Sequence, residues 1–529
     1  MSEAPNILFI VVDELTADIL PTYGHKVVKA PNLTRLAERS VVFDAAYANS
    51  PICCPSRASM MSGRLAPAIE AWDNATPLGC DVPCIPHFLG NLGYDTTLVG
   101  KMHFIGPDQL HGYENRLTTD IYPSDFSWTA NAKMPRTAPN IAGVSMRPIL
   151  DAGPCKRNLQ IDYDEEVQLL AEQYIWDKAR DRKDKRPFFL TVSYTHPHPP
   201  FDAPQPYWDM YEGAEIDLPR VGPIDPDRMD PLSLQLYYNH RRHEMPVAEE
   251  NVIAARRAYY AMVTWIDERI GRLLDTLEDA GFGDDTVIVF TSDHGEMLGE
   301  RGMWFKMCMF EYAERVPLFV SWPERFAPRR IRQNVSLVDL LPTFIDFARG
   351  KHEEPLPCEE TLDGRSLLRF LQSGADANWP DLVISDFNAG GSPAPVRMVK
   401  EGAWKLIRIG TLANLLFNIE EDPEELCDRS ADKDAEDILA RLLSLSEHGG
   451  YDPEVIAQRV LLSQERRRLI HTATKARRAP VSWNWKVRPD DDVRFVRGGG
   501  PVYGEDPTKA RARLPLASYI PEESEITAL

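Results

Sequence analysis

The stretch "ARRAYYAMVTWIDERIGRLLDTLEDAGFGDDTVIVFTSDHGE", residues 255–296, decides the fold. Its first half carries apolar residues at helical spacing, two glycines break it, and "TVIVFTS" then runs apolar without alternation, as a strand buried on both faces does. The same unit, helix then buried strand, recurs in "IPHFLGNLGYDTTLVGK" (85–101) and in "YDEEVQLLAEQYIWDKARDRKDKRPFFLTVSYTH" (163–196). "NILFIVV" (6–12) opens the series, and helical "APNLTRLAERS" follows before the chain turns extended at "VVF". Such alternation predicts an α/β fold, a mostly parallel central sheet sandwiched by helices, with ligands outside the carboxyl ends of the strands. Asp13 and Glu14 end one strand, Lys101 and His103 another, His196 and His198 a third, and Asp293 and His294 a fourth. Four strand ends are therefore expected to meet at one cleft.

With 529 residues the chain is long enough for two or more structural units. A net charge of −21 argues against nucleic acid as a partner. No apolar run approaches the ~20 residues a membrane span needs, and the first residues lack the basic n-region of a secretory signal. The reading is a soluble, cytoplasmic protein with no membrane partner. The 8 cysteines make no disulfide framework in a chain of this size. Beyond about residue 380, shorter segments such as "PVRMVKEGAWKLIRIG" suggest a small antiparallel sheet. The expected organisation is a catalytic α/β domain over 1–380, a small C-terminal subdomain over 381–450, and a helix with an extended arm over 451–529.

Asp13, Glu14 and Asp293 in one cleft would repel one another, and a divalent cation relieves that repulsion. Each acid taken alone could equally be a helix cap or a loop residue. His294 beside Asp293 gives a mixed oxygen and nitrogen donor set; calcium prefers oxygen alone, whereas manganese and zinc accept imidazole, so the metal's identity stays open. "PICCPSRASMMSGR" (51–64) poses a separate question. Cys53 could be a thiolate nucleophile, half of a redox or zinc pair, or a buried apolar residue, although adjacent cysteines are poor zinc chelators.

Its neighbours resolve that question. "CCPSRASMMSGR" carries the C-x-P-S-R followed by hydroxyl-G-R of the sulfatases, and "GYDTTLVGKMHF", "YTHPHPPF", "TVIVFTSDHGEMLGERGMWFK", "VSLVDLLPTF" and "LFNIEEDPEEL" resemble sulfatase segments in family order over roughly residues 5–430. The resemblance implies the alkaline-phosphatase-like fold and a formylglycine made from Cys53 by a maturation enzyme. It implies hydrolysis through a covalent sulfated formylglycine intermediate, and one divalent metal ion, Ca2+ or Mn2+, on Asp13, Glu14, Asp293 and His294. Glu14 stands where Asp, Gln or Asn is more usual. Arg57, Lys101 and Lys306 would contact the reacting oxygens. His103 would serve as the base and His198 as the general acid, with His196 the lesser candidate for that role and otherwise a substrate contact.

"AWDNATPLG", "KMHFIGPDQLHGYENRLTTDIYPSDFSWTA" and "LDAGPC" resemble choline sulfatases in particular, which offers Asn74, Trp128 and Asp386 as substrate contacts. The His-Asn pair of that subfamily is replaced by "PNIAGVSMRP" (139–148). The expected substrate is a small aryl or alkyl sulfate monoester. Choline sulfate and phosphonate monoesters or phosphodiesters are alternatives, and a non-catalytic metal-binding or thiol-redox protein is the alternative of another class. Aromatics in residues 480–515 suggest a homo-oligomer, dimer or tetramer, joined through the arm.

Overall fold

The structure is a computed structural model and describes residues 4–131, 137–140, 142–181, 183–350 and 354–476. Its centre is a sheet whose strands lie in the order Arg329–Ser336, Val41–Tyr47, Arg315–Ser321, Thr286–Ser292, Asn6–Val12, Phe188–Ser193, Asp95–Gly100, Asn115–Arg116. Every pairing is parallel except those of Arg315–Ser321, which runs against both neighbours.

The unbroken apolar run of Asn6–Val12 follows from its place in the middle of this sheet. Side chains alternate across a strand. Ile7, Phe9 and Val11 enter one core and Leu8, Ile10 and Val12 the other. The first core is covered by helices including Ile85–Asn91 and Leu340–Ala348, the second by the long helices Leu159–Arg180 and Glu249–Asp279. Both faces are dry, and every residue from Ile7 to Val12 is apolar.

Register then levels the strand ends. Val12 pairs with Ser292, Val11 with Ser193, and Gly100 with Ser193, so the chain exits four adjacent parallel strands at nearly the same height. Asp13, Lys101 and Asp293 are the first residues past three of those strands.

A second, antiparallel sheet is formed by Leu382–Phe387, Val396–Glu401, Trp404–Ile409 and Ala413–Asn418 in sequential order. Phe387, Val396, Met398 and Ile407 on one of its faces pack with Met303, Met307 and Phe310, the segment that carries Lys306. The terminal helix Pro453–Ala476 lies beyond it. The arm expected after this helix falls outside the described residues. No helix among the described residues is long and apolar enough to cross a membrane.

Glu314 is sealed at the junction of the two sheets. The Ser385 hydroxyl donates to Oε1 at 3.0 Å, and Oε2 has no partner. Burial pushes this carboxyl from its ordinary value of 4.5 up to about 8, against the pull of Lys405. Between those two values the unfolded chain releases the proton while the folded one retains it, so Glu314 contributes progressively less to stability as pH rises. Glu314→Gln should therefore match the wild-type thermal midpoint below pH 4.5 and exceed it increasingly towards pH 8. Midpoints that stay parallel across that range would contradict this.

Candidate active site

The helix Cys53–Ser62 begins at the edge where the strands end, and every residue in it is buried. Cys53 is its first residue. Its Sγ lies 3.3 Å from His294 Nε2 and 3.8 Å from Asp13 Oδ1. One turn on, Arg57 Nε donates to Asp293 Oδ2 at 2.7 Å, while Nη1 donates to the Lys101 carbonyl at 2.8 Å and to Ser193 Oγ at 2.9 Å. A single guanidinium thus ties together three strand ends. Removing one member of such a buried ion pair typically costs about 3–5 kcal/mol.

The acids are matched one to one. Lys101 is paired with Asp13, and Lys306 with Glu14. Burial opposes the charge of Asp13, yet Lys101, His198 and Arg57 hold its carboxyl below the usual range. Glu14 goes the other way: burial raises it to about 8 despite Lys306. Its Oε1 has no hydrogen-bond partner. Burial would also raise the Cys53 thiol, but Lys101, Lys306 and His294 drive it well below its ordinary value. His294, though desolvated, is raised to about 9 by Asp293 and Cys53. Asp13, Cys53, Asp293 and His294 offer donor atoms within 4.8 Å of one another, a group able to hold a metal ion. Glu14 stands outside that group, with its Oε2 3.3 Å from His198 Nε2.

Backbone strain concentrates here. Glu14, His103, Phe305 and Met307 adopt φ of 67°, 60°, 67° and 77°, a region costly for any residue with a Cβ. At His103 the strain is held by Asp120, whose Oδ2 accepts from the Met102 and His103 amides at 3.1 and 2.8 Å. Neither ring nitrogen of His103 has a hydrogen-bond partner. His198 is oriented differently: its Nδ1 donates to the Pro199 carbonyl at 2.6 Å, which turns Nε2 towards Glu14.

A cavity of about 100 Å3 opens over Cys53. His103, His198 and Lys306 line it with the cysteine, and so do Asn74, Tyr122 and Trp128. The small residues Ala130, Ala142, Val144, Ala389 and Gly390 line it as well, together with Ile52, Asp73, Asn140 and Met307. The stretch that replaces the His-Asn pair of choline sulfatases is therefore part of this wall. Asn74 Oδ1 also accepts from the Cys54 amide at 2.9 Å, fixing the outer loop to the first turn of the cysteine's helix.

Two of the expected substrate contacts do not line the cavity. His196 is fully buried, with Nδ1 2.6 Å from Asp164 Oδ2 and its ring 4.4 Å from Trp265. Asp386 lies in the small sheet and accepts from Arg397 Nε and Nη2 at 2.8 and 2.9 Å. Tyr122 lines the cavity although the sequence did not single it out. Its ring sits 4.4 Å from the Lys101 ammonium and its hydroxyl 3.0 Å from His198 Nδ1. It occurs in an aperiodic loop, where no spacing singles it out.

The sulfatase family model matches residues 5–350, and one described as N-sulphoglucosamine sulphohydrolase, C-terminal, matches residues 299–448. The chain belongs to the sulfatase family. It is an enzyme that hydrolyses sulfate esters. This sulfatase is 40% identical to a choline-sulfatase of Rhizobium meliloti (strain 1021) over 497 residues, 93% of this chain and 96% of that one. It is 28% identical to arylsulfatase K of Gallus gallus over 80% of this chain and 79% of that one. Among solved structures, the phosphonate monoester hydrolase from Silicibacter pomeroyi superposes with a TM-score of 0.65 at 25% identity, covering 83% of this chain and 94% of that one. These neighbours carry the alkaline-phosphatase-like fold.

Gly295 explains how the sulfatase's His294 can turn back towards Cys53. A Cβ at Gly295 would fall on the carbonyl oxygen of Tyr312, while its own amide donates to the Ala313 carbonyl at 2.8 Å. Backbone cannot yield as a flexible side chain does. Gly295→Ala is thus expected to lower both the thermal midpoint and sulfate ester turnover, the latter by about tenfold or more, the scale set by small displacements of catalytic groups. Wild-type values for both would show that the close approach is dispensable.

Proposed function

We propose that the protein cleaves small, compact aryl or alkyl sulfate monoesters at Cys53, after conversion of that residue to formylglycine by a maturation enzyme. The observation that carries this reading is the cavity itself, in which Cys53, His103, His198 and Lys306 share one lining with Trp128 and small aliphatic residues.

The hydrated aldehyde would supply one hydroxyl to attack sulfur and a second whose deprotonation releases sulfate. A divalent ion, Ca2+ or Mn2+, would supply fixed positive charge at the transferring group, held by Asp13, Glu14, Asp293 and His294. The paired carboxylates and the partnerless Oε1 of Glu14 fit such an ion. Lys101 and Lys306 supply further cationic donors to the sulfate oxygens. Arg57 keeps Asp293 and the Lys101 backbone in place. His198, with Nδ1 donating to Pro199, presents Nε2 as the atom that passes a proton to the leaving oxygen. His103, with both ring nitrogens without a partner, is suited to take the proton from the second hydroxyl.

Two carboxylates that could greet a cationic leaving group are already paired, Asp73 with Arg467 and Asp386 with Arg397, which favours an uncharged alcohol. Choline sulfate is the second reading, supported by the Rhizobium meliloti relative and by the Trp128 wall. Phosphonate monoester hydrolysis as a side activity is suggested by the Silicibacter pomeroyi neighbour. Free cysteines throughout agree with a reducing, cytoplasmic setting. A substrate panel tests the reading: kcat/KM for an aryl sulfate and for a small alkyl sulfate should each exceed that for the matching phosphonate. Cys53→Ala should abolish all of these activities, while Cys54→Ala should retain them within about threefold, because the Cys54 thiol only donates to the His103 carbonyl, at 3.2 Å. Equal losses at both cysteines would point to a dithiol site instead.

We also infer a homo-oligomer. Val455, Leu462 and Leu469 are exposed at seven-residue intervals along Pro453–Ala476, with Leu469 72% exposed. Exposed apolar residues repeated on one line of a helix make it a candidate surface for contact with a second copy. Leu462→Asp combined with Leu469→Asp should lower the mass measured by light scattering. An unchanged mass above that of one chain would place the interface elsewhere, and a single-chain mass in the wild type would end the inference.

A further inference from the structure

Asp73 lines the cavity next to Asn74 and is itself buried. Its carboxylate is met by Arg467 from the helix Pro453–Ala476: Nη1 donates to Oδ1 at 2.6 Å and Nη2 to Oδ2 at 2.9 Å. Arg467 is only 3% exposed, and its Nε donates to the Ser463 carbonyl and hydroxyl within its own helix, both at 3.3 Å. The same guanidinium reaches a second stretch, with Nη1 3.4 Å from Thr129 Oγ1, which lies in sequence between the lining residues Trp128 and Ala130. Arg468 adds a donor to Asn131 Oδ1 at 2.6 Å. Underneath, Trp72 packs on Tyr451, Ile456 and Val460. One helix therefore joins two stretches that line the cavity, Asp73 with Asn74 and Trp128 with Ala130.

We propose that Arg467 is a specificity-determining positioning residue, cancelling the Asp73 carboxylate so that the leaving-group end of the cavity is electrically neutral, and holding the Trp128 wall at its distance. The inference rests on cleavage of a sulfate ester at Cys53. In a desolvated cavity an unmatched carboxylate attracts a quaternary ammonium strongly, and the bidentate guanidinium removes that attraction. The alcohol's charge is thereby selected through a residue that contacts no part of it.

Choline sulfate and 3,3-dimethylbutyl sulfate share a shape and differ by one positive charge, so the ratio of their kcat/KM values reads the effect. Arg467→Gln should raise that ratio in favour of choline sulfate by about tenfold, Asp73→Asn should lower it, and the double variant should return it to within about twofold of wild type, as coupling through one pair requires. The change should sit in KM, with kcat for the two esters moving together, which a loosened fold would not produce. The same ratios should appear as dissociation constants measured by calorimetry on the Cys53→Ala background, where neither ester is consumed. Both single variants shifting the ratio in the same direction, or neither shifting it, would overturn the proposal. If Arg467→Gln does not fold, the near-isosteric Asp73→Asn decides alone, a lowered ratio supporting the role and an unchanged one refuting it. A wild type that turns over neither ester would refute the substrate reading, while the calorimetric ratios would still judge Arg467. Failure of both esters to bind at all would end both.

Discussion

Three carboxylates brought to one end of a parallel sheet cannot coexist without compensation, and the arrangement around Asp13, Glu14 and Asp293 is the answer to that problem. Each is matched by a different cation from a different part of the chain, Lys101, Lys306 and Arg57. The matching is unequal. Asp13 is held ionised, whereas Glu14 is raised to about 8, so the cluster is poised around its weakest acid. A site built from buried, mutually dependent charges is rigid because no member can leave without stranding another.

That dependence explains why so much of the protein is scaffold. The double-faced core admits only small hydroxyls, such as Thr191, Ser193, Thr291 and Ser292, near the ends of these strands, and the charged groups of the site fall in the loops that follow. Those loops are then bent into left-handed backbone at Glu14, His103, Phe305 and Met307, strain that only a fully packed surround can hold. The small antiparallel sheet belongs to this surround. By packing against Met303, Met307 and Phe310 it props the segment bearing Lys306.

Strand ends were legible in the sequence because a buried parallel strand has an unmistakable texture, and the first polar residues after it are where the sheet opens. Asp13, Lys101, Asp293 and His294 could be located on that basis alone, and the C-x-P-S-R run singled out Cys53. Position after a strand is not the same as direction, however. His196 and His198 follow the same strand two residues apart, yet one ring is drawn inwards by Asp164 and Trp265 while the other faces the cavity. Asp386 was likewise a carboxylate in a plausible place until Arg397, eleven residues on, claimed it across the strand pair. Tyr122 and the partnership of Asp73 with Arg467 left no local trace, since each depends on loops and on contacts between distant parts of the chain.

The distance between Asp73 and Arg467, 394 positions, bears on how the protein comes to exist in time. A ribosome that has released the cysteine's helix must still deliver nearly four hundred residues before the helix that closes the cavity can dock. Until then Asp73 and the stretch around Thr129 lack the guanidinium that joins them, so this side of the cavity is completed only late in synthesis.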